Sequence, residues 1–447
     1  MSIVGLITEY NPFHLGHKYH IEQAKRLTGA DTAIVIMSGS YVQRGEPSFL
    51  DKYTKTKIAL NNGADMVIEL PCCFACASAE YFAYGAVSVL DKLGIVDFLC
   101  FGAENDDMGT LFAIARILSD EPDLYCTFLN EFLRQGASFA YAREAALIKY
   151  IEKLTADIER NKKYSQLTPD IVYAKKYSQL TDDNISVLKD ADIHGILSAP
   201  NNILAIEYLK ALLKRKSKIK PVALKRINAC YHDNTSDSRF YSAAAIRKLA
   251  EHSYDDLKYT LEQIDSDYLT SFMSSFPVFT TDYSAMSGYS LRTHIFNGTL
   301  NNVFGMTRQL SNRIRKNIDD FTDIVQFTDM LKTKDLSYTA VSRALLHCVL
   351  DIFNDDMSEY MNNDVCSFVR ILGFSSEHEK VFKLIKSSSD MEIITGLAGY
   401  ESNSRLNSTD KKLIKNSIYC DSLYRMICRQ KYNSKLPTEY TSFIQKL

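Results

Sequence analysis

Four apolar runs recur at near-even spacing in the first hundred residues: Ile3–Thr8, 32–37, 65–70 and 96–101. Helical patterns separate them at 18–27, 51–62 and 79–93. Gly63 supplies a C-cap after the second helical stretch, and Pro71 stops the third strand. Apolar strands alternating with helices predict a parallel sheet covered on both faces. In such sheets ligands bind beyond the carboxyl ends of the strands. The polar loops after Thr8, Met37 and Phe101 are therefore the expected edges of a site.

The first of these loops carries the chemistry. Glu9-Tyr-Asn-Pro-Phe13 leads into His14-Leu-Gly-His17, which opens a helix. Gly16 allows close backbone approach to a ligand. A helix start offers unpaired N–H groups and a positive dipole end. Two imidazoles beside it can donate to phosphate oxygens. Together they suit attack on an α-phosphorus with pyrophosphate leaving, where each fixed donor contributes about 3 kcal/mol to the transition state. Two helix-start histidines can also simply cap and pack. No G-x-x-x-x-G-K-[ST] and no G-x-G-x-x-G is present, which argues against a P-loop ATPase and a standard dinucleotide-binding domain.

Beyond the first hundred residues the pattern turns helical over 107–150. Lys-Lys-Tyr-Ser-Gln-Leu-Thr then occurs at 162–168 and again at 175–181, a short duplication that fits a loop expansion. A helix over 201–214 and a last strand over 221–225 follow, then a helix from Ser242. Past residue 253 the alternation stops and helices over 311–319, 338–353 and 413–430 dominate. Two domains are expected, 1–252 and 253–447. The formal net charge of −2 gives no global basic signature. Ten cysteines, several in apolar runs, fit reduced buried thiols, and Cys72, Cys73 and Cys76 lack a second pair at zinc-site spacing. No run of about eighteen uncharged apolar residues exists, so no membrane span and a cytoplasmic location are expected.

The longer motif Gly5-Leu-Ile-Thr-Glu-Tyr-Asn-Pro-Phe-His-Leu-Gly-His-Lys-Tyr-His20 resembles the bacterial tRNA(Met) cytidine acetate ligase family, within the HIGH-type nucleotidyltransferase superfamily. Met37-Ser-Gly-Ser-Tyr-Val-Gln-Arg-Gly-Glu-Pro47, Ala64-Asp-Met-Val-Ile-Glu-Leu-Pro71, Phe101-Gly-Ala-Glu104 and Pro200-Asn-Asn-Ile-Leu-Ala-Ile-Glu-Tyr208 fit it too. So do Leu224-Lys-Arg226, Tyr231-His-Asp233 and Tyr241-Ser-Ala-Ala-Ala-Ile-Arg247. The likeness covers most of residues 1–250 and is weaker through the C-terminal half. It implies a Rossmann-like α/β catalytic domain with a parallel sheet, followed by a mainly α-helical tRNA-binding domain. It also implies activation of acetate by ATP to acetyl-adenylate, and acetyl transfer to N4 of the wobble cytidine of elongator tRNA(Met).

By the same resemblance ATP is held by Ile7, Thr8, Glu9, Tyr10, Asn11, Pro12, Phe13, His14, Leu15, Gly16, His17, Lys18, Tyr19 and His20. Gly102, Asn201 and Arg226 complete the set, with His14 and His17 catalytic and magnesium accompanying the triphosphate at no identifiable site. Asn201 also fits a helix N-cap, and Arg226 a surface strand-end charge. Ser242 and Arg247 resemble a second phosphate signature, in which Ala243-Ala244-Ala245 lacks the usual threonine. Arg44 fits phosphate, tRNA or solvent. For tRNA the candidates are Arg313, Arg315 and Lys316 on one helix, with Arg308 beside them, then Lys332, Lys334 and Arg343. Tyr338 and Tyr360 are available for base stacking, although Asp335 interrupts the basic run. Two other functions fit the same residues: an adenylyltransferase acting on a phosphorylated metabolite, and a non-catalytic RNA-binding protein with an ATP pocket.

Overall fold

The computed structural model describes residues 1–165, 187–189, 191–226, 242–252 and 275–447. The second copy of the heptapeptide, Tyr231-His-Asp233, Tyr241 and the expected boundary at 252/253 lie outside or at the edge of these. The chain opens with β1 (Ile3–Thr8), α1 (Leu15–Thr28), β2 (Thr32–Ser38), β3 (Tyr41–Val42), β4 (Glu46–Pro47) and α2 (Lys52–Asn61). Then come β5 (Met66–Leu70), α3 (Cys72–Ala75), α4 (Ala79–Lys92) and β6 (Phe98–Ala103). Helices α5 (Met108–Asp120), α6 (Asp123–Arg134) and α7 (Phe139–Ser165) follow. The helices Ile193–Ser198 and Pro200–Arg215 lead to β7 (Lys220–Lys225). The rest is mainly helical, with β8 (Phe368–Phe374), β9 (Glu392–Ile394) and β10 (Gln445–Lys446) set among the helices.

Two compact units result: residues 1–100 with 227–447, and residues 101–226. In the first, β2 and β6 flank β1 as parallel neighbours, β5 lies parallel to β2, and β8 lies antiparallel to β5. β8 in turn pairs parallel with β9 and β10. The β1–β2 register sets Leu6 opposite Val35 and Thr8 opposite Met37, so both strands end at one sheet edge. Val4, Leu6, Ile34, Ile36, Val67 and Ile68 are fully buried, as a sheet covered on both faces requires. The cysteines 72, 73 and 76 lie within this core as free thiols.

β8 is the element that the sequence pattern does not announce. Phe-Val-Arg-Ile-Leu-Gly-Phe is buried along its whole length, yet it stands between helices and carries Arg370. A seven-residue apolar run of this kind does not separate strand from buried helix by periodicity.

Local chemistry explains the other boundaries. Asp51 caps α2 by accepting from the N–H groups of Tyr53 and Thr54. Gly29, at φ 66°, closes α1. In the second unit α5 packs on the helix Pro200–Arg215, burying Leu111, Ile114 and Ile117 with Ile206 and Leu209. β7 lies beside the end of β6, where the Arg226 N–H donates to the Ala103 carbonyl.

Candidate nucleotide site

The loop after β1 folds back on itself through aromatic packing. Tyr10 and Phe13 are buried and meet edge to face at 4.8 Å, and Tyr10 meets the His17 ring at 4.9 Å. Thr8, Asn11 and Pro12 are buried as well. Asn11 Oδ1 accepts from the Phe49 N–H at 2.6 Å. The buried half of the motif therefore supports the part that stays open: His14, Leu15, Gly16, His17, Lys18, Tyr19 and His20 are all partly exposed, as is Ile7.

His14 is the N-cap residue of α1, in extended conformation. Its N–H donates to His17 Nδ1 at 3.2 Å, and the two imidazoles stack at 3.7 Å. With Nδ1 accepting, the His17 proton sits on Nε2. A Cβ at position 16 would stand 2.9 Å from His14 Cε1, so only glycine lets the His14 ring lie over the first turn. Glycine, two imidazoles and the first-turn N–H groups form one donor-rich helix start at the carboxyl end of β1.

Charged groups brace this loop from behind. Glu9 accepts from the Gln43 N–H at 2.6 Å, and burial raises the pKa of its carboxyl group. Arg247, an expected phosphate residue, donates to the Asn11 carbonyl at 2.5 Å and pairs with Glu46 at 3.3 Å. It ties its own helix, Ala243–His252, to the loop. The Ser242 hydroxyl accepts from the Ala245 N–H and caps that helix. Arg44 is exposed.

Lys55 escapes sequence reading. Its ammonium donates to the carbonyls of Glu9, Ser38 and Gly39 at 3.0, 2.8 and 3.0 Å, pinning the tips of β1 and β2 together. Burial pulls its pKa down to about 7, against the charge of Glu9. One turn earlier, Lys52 meets Glu69 at 2.8 Å, Glu439 at 2.9 Å and Asp421 at 3.8 Å. Burial opposes its charge, but the three carboxylates hold it well above the usual lysine range. Lysines three apart on a helix normally read as a solvated face, so nothing in the sequence marks this pair as buried.

The second unit gathers Gly102, Asn201 and Arg226. Asn201 does not cap its helix: Ala199 is the N-cap, and Pro200 occupies the first turn. Instead Asn201 Nδ2 donates to Glu104 Oε1, and Asn201 Oδ1 accepts from Arg226 Nη1 at 3.2 Å. The Asn202 N–H donates to Glu104 Oε2 at 3.0 Å. A Cβ on Gly102 would stand 3.3 Å from Arg226 Cγ, so the arginine side chain occupies the space over that glycine.

The basic candidates of the C-terminal part divide. Arg313 donates to the carbonyls of Leu331 and Met330 at 3.0 and 2.9 Å, closing the end of the helix Ile324–Leu331. Arg343 reaches the Gln43 carbonyl at 3.4 Å, and burial lowers its pKa. Arg308, Arg315, Lys316, Lys332 and Lys334 remain exposed or half-exposed, with Lys332 paired to Asp329. Tyr360 is buried and offers no stacking face, while Tyr338 is half-buried.

A parallel sheet whose first strand delivers a His-x-Gly-His helix start is the frame of a nucleotidyltransferase. Residues 1–439 match the family described as HIGH Nucleotidyl Transferase. A tRNA(Met) cytidine acetate ligase of Acetivibrio thermocellus is 35% identical, with 99% of each chain covered. One from Clostridium perfringens is 34% identical over 91% of this chain and 92% of its own. A crystal structure of Thermotoga maritima TmcAL bound with alpha-thio ATP superposes with a TM-score of 0.81, at 26% identity and full coverage of both chains. The chain belongs to the HIGH nucleotidyltransferase family and, within it, to the tRNA(Met) cytidine acetate ligases.

Proposed function

We propose that this protein joins acetate to the wobble cytidine of elongator tRNA(Met) at the expense of ATP. An acetate oxygen attacks the α-phosphorus, the bond to the bridging oxygen breaks, and pyrophosphate leaves. The cytidine N4 amine then attacks the acetyl carbon of acetyl-adenylate, AMP leaves, and the amine gives up a proton. The ligase relatives and the nucleotide-bound structural neighbour support this activity. The observation that carries the first step is the His14–Gly16–His17 helix start. His17 Nε2–H and the first-turn N–H groups are donors suited to the negative charge that builds on the phosphoryl oxygens. Lys55 and Arg247 hold the loop so that these donors keep their places.

Asn201 and Arg226 are nucleotide-binding residues by the family likeness of their motifs. Magnesium enters as the counter-ion of the triphosphate; among the described residues no three His, Cys, Asp or Glu side chains converge as a metal cage. Residues 253–447 provide the tRNA surface, with Arg308, Arg315, Lys316, Lys332 and Lys334 as its outward cations. Among the described residues no helix is long and apolar enough to cross a membrane, and a tRNA substrate places the reaction in the cytoplasm.

Incubation with ATP, labelled acetate and tRNA tests this directly. Label should appear on tRNA(Met), depend on ATP, and disappear in His17→Ala. Adenylyl transfer to a phosphorylated metabolite, with acetate untouched, would overturn it. So would tight tRNA binding without ATP turnover.

A further inference from the structure

The Glu104–Asn201–Arg226 chain has a property that its two expected nucleotide-binding residues do not explain. We propose that Glu104 is a positioning residue that fixes which way the Asn201 amide faces, and thereby orients the Arg226 guanidinium for the nucleotide. This rests on the nucleotide role given to Asn201 and Arg226 above. A carboxylate only accepts hydrogen bonds and a guanidinium only donates them. An amide placed between the two has one satisfied orientation, with Nδ2 toward the carboxylate and Oδ1 toward the guanidinium. That is the orientation observed.

Glu104 is itself held in place. Its second oxygen accepts from the Asn202 N–H, at the start of a helix whose first turn has no acidic residue of its own. The negative charge therefore also complements the helix dipole. Asn202 Oδ1 in turn accepts from the Asn105 N–H at 3.0 Å, so the loop after β6 and the helix start lock each other. The amide spacer has a further consequence. A carboxylate directly on Arg226 would neutralise it. With Asn201 between them, Arg226 is aimed but keeps its charge for an anionic ligand.

The isosteric Glu104→Gln separates orientation from mere packing. The Asn202 N–H claims the oxygen of the introduced amide, which then offers Asn201 its NH2 group. The Asn201 amide turns to accept it and presents a donor to Arg226. The KM for ATP should rise about tenfold, the worth of one charge-assisted hydrogen bond, with kcat at saturating ATP within about twofold. Asn201→Asp sets two carboxylates against each other and a carboxylate directly on Arg226, and should raise the KM further than Glu104→Gln. Circular dichroism confirms that each variant is folded.

An unchanged KM in Glu104→Gln, while Arg226→Met raises it, overturns the proposal. If Arg226→Met and Asn201→Ala both leave the KM unchanged, the nucleotide role of the cluster fails first and the proposal falls with it.

Discussion

Cations fare differently at the tips of β1 and β2 and in the helical stretch from residue 308 to residue 343. At the strand tips Lys52 and Lys55 of α2 are wholly inside the protein. Lys52 faces three carboxylates, and Lys55 faces three backbone carbonyls. In the helical stretch Arg313 and Arg343 turn in to carbonyls, Lys332 pairs with Asp329 at the surface, and Arg308, Arg315, Lys316 and Lys334 face water. The side-chain chemistry is nearly constant; what changes is the oxygen that each cation meets. Carboxylates make a cation indispensable to stability, carbonyls make it a clamp, and water leaves it available to a polyanion.

The largest effect should come from Lys52→Met. It leaves Glu69, Asp421 and Glu439 as buried carboxylates without their shared cation, which should destabilise the fold by about 3–5 kcal/mol. Chemical denaturation measures this; a loss under about 1 kcal/mol would mean that the carboxylates are not charged together. His17→Ala should leave stability near wild type and lower kcat for acetyl-adenylate formation about 10²–10³-fold, as for loss of one oxyanion donor. ATP–pyrophosphate exchange is the measurement. An unchanged rate would remove the helix start from the chemistry and leave it, like Arg313, a structural device.

The strands around β1 are legible in the sequence because a two-sided buried sheet imposes continuous apolar runs such as Ile3–Thr8. His14, Gly16 and His17 are legible because their function depends on local order along the chain. Three other features are not. β8 joins β5 from about 300 residues downstream, and only tertiary pairing distinguishes its apolar run from a buried helix. Lys55 looks like any helical lysine until Ser38, Gly39 and Glu9 are folded around it. Arg313 looks like a tRNA-binding side chain until the helix Ile324–Leu331 ends within its reach. In each case the deciding partner is distant in sequence, and most often a backbone oxygen, which composition cannot register. Glu104 is an intermediate case: Phe101-Gly-Ala-Glu104 stands out as a motif, but its bond to Asn201 spans 97 residues.

Two smaller effects sharpen the contrast between clamps and free cations. Arg313→Met strips two carbonyls of their donor and should destabilise by about 1–3 kcal/mol. The salt dependence of tRNA binding should not move, and a shallower slope would return Arg313 to the tRNA surface. Lys55 should reveal its burial through pH. Its pKa is depressed from 10.5 to about 7 on folding, so between those values the unfolded chain binds more protons. Stability should therefore rise with pH above 7, by up to about 1.4 kcal/mol per pH unit, and be lost as pH falls through 7. In Lys55→Met that rise should vanish. A wild-type stability that is flat from about pH 7 to 9 would show instead that the three carbonyls keep the ammonium charged.

The smallest effect on the fold belongs to the cations that meet only water. Arg315 and Lys316 share a helix with Arg313 and point outward, so Arg315→Ala with Lys316→Ala should leave the melting curve within about 0.5 kcal/mol of wild type. If these side chains touch phosphates, the slope of log affinity for tRNA against log salt should fall by about 0.7–0.9 for each phosphate no longer neutralised. A double variant with unchanged slope and unchanged melting would place both residues in solvent, and the tRNA surface would have to lie elsewhere. Arg313, two residues away on the same helix, is the internal control. Its replacement should shift the melt and not the slope, and the outward pair should shift the slope and not the melt. Only the oxygen each side chain meets separates the two outcomes.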